Sequence, residues 1–106
     1  MIQVGSCFLG KVGAMMNDKE REILVITQEE CAEVIQEISK IFRFGIDNSH
    51  KDGMTHRTKL EMEVGDLLAM IDLLLEHKII DKDYIDSYKL QKIAKLKIYS
   101  RIYEQP

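Results

Sequence analysis

No proline interrupts this chain of 106 residues; its one proline, Pro106, is the last. Inside a helix, proline removes an amide donor and clashes with the preceding turn, so a chain free of it can run long, unkinked helices. Apolar and polar residues rarely alternate and β-branched residues do not cluster, which argues against strands. The expected class is therefore all-α. Hydrophobic residues make up 45% and charged residues 31%, a balance suited to a folded chain rather than a disordered one. The length fits a single domain, 1–106, with a core of modest size.

Three long helices are expected behind a short N-terminal segment, 1–17. The first begins at Asn17 or Asp18, which can cap free amides, and runs to Phe44, where Gly45 stops it. Residues 45–57 are polar, hold two glycines and several turn formers, and read as a loop. Within it His50 and His56 read as polar linker. Thr58 or a neighbour caps the second helix, which continues to about Lys78. Asp81 or Asp83 then caps a third helix that reaches about Glu104. A short leader helix around 7–16 is a further expectation, weakened by its glycines.

Carboxylates stand where a helical wheel puts apolar residues. On the first helix Ile23, Leu24, Thr27, Cys31, Val34, Ile35, Ile38, Ile41 and Phe42 share one broad sector, extended by Ile26 and Phe44. Glu30 falls between Ile26 and Ile41, Glu33 lies just beyond Ile26, and Glu37 lies near the sector's edge. The second helix is apolar almost all round, as in a bundle core or an interface. Even so, Glu63 points between Met70 and Leu74, and Asp66 between Leu73 and Met70.

A carboxylate taken from water must be paired, protonated or bound to metal. Residues three apart share a helix face, so each helix presents a two-carboxylate pincer, Glu30/Glu33 on one and Glu63/Asp66 on the next. Antiparallel packing brings the pincers face to face. Four hard oxygen donors suit Mg²⁺, with Mn²⁺ as a substitute. Di-iron carboxylate bundles have a similar geometry but need Glu-x-x-His motifs; here Glu33 and Asp66 hold the histidine positions.

The strings Glu29-Glu30-Cys31-Ala32-Glu33-Val34 and Glu63-Val64-Gly65-Asp66-Leu67-Leu68 resemble the two motifs of the all-α MazG-like nucleotide pyrophosphohydrolases: E-E-x-x-E, a loop, then E-x-G-D on the following helix. The longer phrase EECAEVIQEISKIFRFG is similar to the small, single-domain members found in bacteriophages. The likeness covers roughly residues 27–97.

The resemblance implies an all-helical dimer or tetramer. It implies Mg²⁺-dependent hydrolysis of (deoxy)nucleoside triphosphates to monophosphate and pyrophosphate, for nucleotide-pool control. Its matching metal ligands are Glu30, Glu33, Glu63 and Asp66, with Glu30 or Glu33 also placed to take the proton of the attacking water. The family's later helix usually supplies cations to the phosphates, and Lys89 and Lys92 are the matching candidates. The chemistry accounts for these residue types. A triphosphate's negative charge shields its phosphorus, so cations, positioning and a water of lowered pKa supply most of what the reaction needs. Lys40 and Arg43, near the end of the first helix, suit phosphate and equally suit the negative end of the helix dipole.

The net charge is −3. It is uneven: Lys89, Lys92, Lys95, Lys97 and Arg101 form a run without an acid, and the rest of the chain carries about −8. That balance excludes wrapping a nucleic acid polymer, which needs a broad basic face. Cys7 and Cys31 match no zinc spacing and read as reduced, buried thiols. The first residues lack the basic start of a secretory signal, no stretch is long enough to span a membrane, and a cytoplasmic location, in a cell or an infected host cell, is expected. Three helices this apolar leave too much surface for a lone monomer, so an antiparallel bundle completed by homo-oligomerisation is expected. The rival is a non-enzymatic oligomeric interaction protein, whose acids pair with the basic run at 89–97 across subunits.

Overall fold

Local chemistry sets where each helix begins. The computed structural model describes residues 15–49 and 51–105. The expected leader helix and Cys7 lie outside these residues, apart from 15–17, which are not helical. α1 spans Asp18–Phe44. Its N-cap Asn17 accepts from the Glu20 amide at 2.8 Å, while the Glu20 carboxylate accepts from the Asn17 amide at 3.1 Å. The two together form a capping box. At the other end Gly45 takes φ 94°, open to glycine and strained for any other residue, and its amide donates to the Ile41 carbonyl at 2.8 Å.

α2 spans His56–Glu76 and is capped by Thr55, whose hydroxyl accepts from the Thr58 amide. The helix thus starts ahead of the expected Thr58, and the last residues of the expected loop belong to it. The loop itself is folded back on this first turn. Arg57 grips Asp47 through two bonds of 2.9 and 3.2 Å, Lys59 holds Asp52 at 2.7 Å, and Ser49 bridges Thr55.

α2 also ends short of Lys78. The Lys78 amide donates to Leu75 at 3.1 Å and the Ile79 amide to Leu74 at 2.9 Å, with Lys78 at φ 58°. This is a Schellman end with lysine in the left-handed position that glycine usually fills. Ile79 then packs against the core to which Leu74 belongs. α3 spans Lys82–Tyr99, capped by Asp81. It stops before the expected Glu104 because Ser100 turns to extended backbone, φ −133° and ψ 172°.

The architecture is an α1–α2 hairpin with α3 set apart. Contacts pair residues whose numbers run in opposite senses (Glu37 with His56, Glu33 with Glu63), so the two long helices are antiparallel. They pack extensively on each other, whereas α3 makes no comparable contact with either. The core is small: Ile23, Met70 and Leu74 are buried, with Leu24, Ile26, Leu73, Ile79 and Ile80 packed around them.

Most of the wheel's apolar sector is therefore not core in this chain. Ile35, Ile38 and Phe42 are exposed, and α3 buries no residue at all. Cys31, expected buried, is exposed. A radius of gyration of 18.6 Å, against about 13 Å for a compact domain of this length, reflects the outlying α3. The described residues form three helices and no strand, and no described helix is long and apolar enough to cross a membrane.

Candidate metal centre

The antiparallel register of α1 and α2 brings the two pincers together. Glu30, Glu33, Glu63 and Asp66 each offer a carboxylate oxygen, and these oxygens all lie within 4.8 Å of one another. Glu30 and Glu63 are half-buried, while Glu33 and Asp66 are exposed, so the cluster opens to water on one side. The wheel placed all four inward; a two-helix layer leaves the outer member of each pair uncovered.

Gathering like charges has an electrostatic signature. Loss of solvation first, then a hydrogen bond to Glu33 and the charges of Glu33, Asp66 and Glu30, hold the Glu63 carboxyl above its ordinary 4.5. Glu30 is raised as well, by desolvation first and then by Glu33, Asp66 and Glu29. Among the described residues no lysine or arginine forms an ion pair with any of the four.

The donor set fits a hard divalent ion. Magnesium bonds oxygen at about 2.1 Å, so its opposed ligands stand about 4.2 Å apart. Oxygens already within 4.8 Å need only small side-chain adjustments to reach that span.

The expected phosphate contacts are placed variously. Lys40 lies at the loop end of α1, 3.8 Å from Glu37. The Arg43 guanidinium stands over the Phe44 ring, 4.8 Å from its centroid. Lys89 and Lys92 are exposed on α3, and no α3 charge is among those acting on Glu30 or Glu63. Within this one chain they stand apart from the cluster.

Two residues near the centre were not singled out from sequence. Lys59, four residues before Glu63 and so on the same face of α2, holds Asp52 and feels the charges of both Glu37 and Glu63. His56, read as linker, is buried: its Nδ1 lies 3.2 Å from Glu37 Oε1, and its ring stacks on Phe44 at 5.7 Å and 18°. Beside it, Phe44, Asn48, Ser49 and Lys51 help line a cavity of about 570 Å³. Spacing from Glu63 held a signal for Lys59, since four positions are about one helical turn; the burial of His56 comes from Glu37 on the other helix, which spacing does not show.

No protein-family model, curated protein or solved structure matches this chain.

Proposed function

We propose that the chain is a Mg²⁺-dependent nucleoside triphosphate pyrophosphohydrolase of the MazG-like kind, releasing monophosphate and pyrophosphate. One observation carries the reading: two carboxylate pairs from facing helices converge, with oxygens within 4.8 Å. Such a cluster repels itself unless protons or a cation neutralise it. The motif resemblance supplies the substrate class.

Glu30, Glu33, Glu63 and Asp66 would hold Mg²⁺, or Mn²⁺ in its place. The bound ion supplies positive charge for the phosphate oxygens and lowers the pKa of water. Glu30 or Glu33 would accept the water's proton as the water oxygen bonds the α-phosphorus, the bond from that phosphorus to the bridging oxygen breaks, and pyrophosphate leaves. Lys59 is the cation best placed on the same protomer to meet a phosphate, and it reaches one by exchanging Asp52 for the substrate. The triphosphate's length runs along the α1–α2 face, with Lys40 and Arg43 toward the loop end.

The functional unit is a homodimer or homotetramer. Leu90, Ile98, Tyr99 and Ile102 are each at least 69% exposed on and after α3, surface that a second copy covers. That copy also brings Lys89 and Lys92 toward a neighbour's cluster. Sedimentation equilibrium tests the assembly; a monomer at micromolar concentration contradicts it.

The experiment for the reaction is turnover of a panel of ribo- and deoxynucleoside triphosphates with Mg²⁺, by the native chain and by Glu63→Ala and Asp66→Ala. Turnover lost in both variants supports the reading. Turnover left unchanged in either removes the metal centre from the chemistry.

A further inference from the structure

The least exposed residues of the described chain are charged or polar ones. Glu37 is 4% exposed and His56 2%, below every apolar residue of the core. They come from different helices and meet at 3.2 Å, Nδ1 to Oε1, so that a proton on Nδ1 donates to the carboxylate. Lys40 approaches the other Glu37 oxygen at 3.8 Å, and the Phe44 ring covers the imidazole. Burying such a pair stabilises a fold less than aliphatic side chains of the same volume would. Its presence at the least exposed point of the α1–α2 interface, outside the aliphatic core of Ile23, Met70 and Leu74, calls for another role.

That role follows from how few buried directional contacts fix the sliding position of α1 on α2. The aliphatic contacts are non-directional, and sliding one helix by a turn exchanges one leucine or isoleucine neighbour for another. The connection is clasped to the first turn of α2, but through exposed loop residues whose bonds water can replace: Asp47 holds Arg57, and the Ile46 and Asn48 carbonyls accept from the Arg57 and His56 amides. The Glu37–His56 bond does not follow a slide: sliding takes the buried imidazole from Glu37 and leaves that carboxylate paired, among the described residues, only with Lys40, 3.8 Å away on its own helix, which is costly. Glu37 lies one turn beyond Glu33, and His56 two turns before Glu63.

We propose that the buried Glu37–His56 pair is a register lock, which sets α1 against α2 so that Glu30 and Glu33 meet Glu63 and Asp66. Both are positioning residues and neither reaches the cluster itself. The lock is a claim about helix register alone; its consequence for metal binding rests on the reading given above.

The test separates the two. Spin labels go on the exposed Cys31 and on Glu76→Cys, in a Cys7→Ser background, with excess unlabelled protein to dilute contacts between copies. Electron–electron distance measurement on this chain gives one narrow distribution. In Glu37→Met/His56→Leu the melting temperature holds or rises, while the distribution broadens or gains a second maximum shifted by about 5 Å, one helical turn. Mn²⁺ affinity, measured on the unlabelled chains, falls at least tenfold in the same variant. A single narrow distribution at the native distance overturns the lock. Should the double variant fail to fold, His56→Ala, which lets Glu37 turn to water, carries the same expectation and the same contrary outcome. Failure of the native chain to bind Mn²⁺ would remove the metal centre, and the distance measurement would still decide the lock.

Discussion

Glu33 and Glu63 face each other across the α1–α2 interface, with carboxylate oxygens no more than 4.8 Å apart. Glu33 is among the groups that hold the Glu63 carboxyl above its ordinary 4.5, after loss of solvation. Like charges gathered this closely repel, and a proton or a divalent ion relieves them.

Replacing Glu63 by glutamine relieves that repulsion and removes a metal ligand. The metal-free Glu63→Gln protein should melt higher than the native chain at pH 7. Added Mg²⁺ or Mn²⁺ should raise the native melting temperature and leave the variant's unmoved. Thermal melts with and without ion, read by circular dichroism, check both halves.

The acid dependence has a definite sign. Glu30 and Glu63 titrate above 4.5 in the folded chain, so the folded state holds more protons than the unfolded one between the two values. The stability they contribute is full below pH 4.5 and is lost as pH rises through the folded values. Relative to Glu63→Gln, the metal-free native protein should lose melting temperature as pH rises above 4.5. Metal affinity should climb over the same window, because protons and metal compete for the same oxygens. A native-minus-variant difference that stays flat with pH would contradict this assignment.

Lys59 exchanges Asp52 for substrate phosphate in the proposed reaction. Lys59→Met should raise KM for the triphosphate on the order of tenfold, with kcat less affected. Asp52→Asn, which frees the lysine, should not raise KM. Steady-state kinetics on the two variants distinguish a phosphate contact from a loop clasp, since a clasp predicts similar losses in both.

Lys78 holds a left-handed backbone at φ 58°, a conformation that costs an L-residue about 1–2 kcal/mol. Glycine there keeps both closing hydrogen bonds of the helix end. Lys78→Gly should stabilise the fold by about 0.5–1 kcal/mol, after allowance for glycine's freer unfolded chain. Urea denaturation measures it directly.

The residues that were legible in the sequence are those whose chemistry is local. Asn17 and Gly45 bound α1 as expected because a cap and a glycine stop act within one turn. The carboxylates could be matched because they repeat every third residue on two helices. Thr55 was hidden by the polar residues around it, and Lys78 by the absence of a glycine. Glu37 and His56 were hidden for a deeper reason: a wheel gives the angle of a side chain around its axis, not its depth or its partner. Nineteen residues separate the two, and only tertiary packing joins them. The same limit applied to α3, whose apolar residues surround the helix yet bury nothing within one chain.

The most direct measurement is product analysis with a purified triphosphate, Mg²⁺ and the native protein, resolved by ion-exchange chromatography. Monophosphate and pyrophosphate in equal amounts, abolished by a chelator and restored by added Mg²⁺, are the predicted result. Diphosphate with orthophosphate would place cleavage at the wrong bond. No turnover of any nucleotide by folded, metal-supplied protein would contradict the enzymatic account altogether.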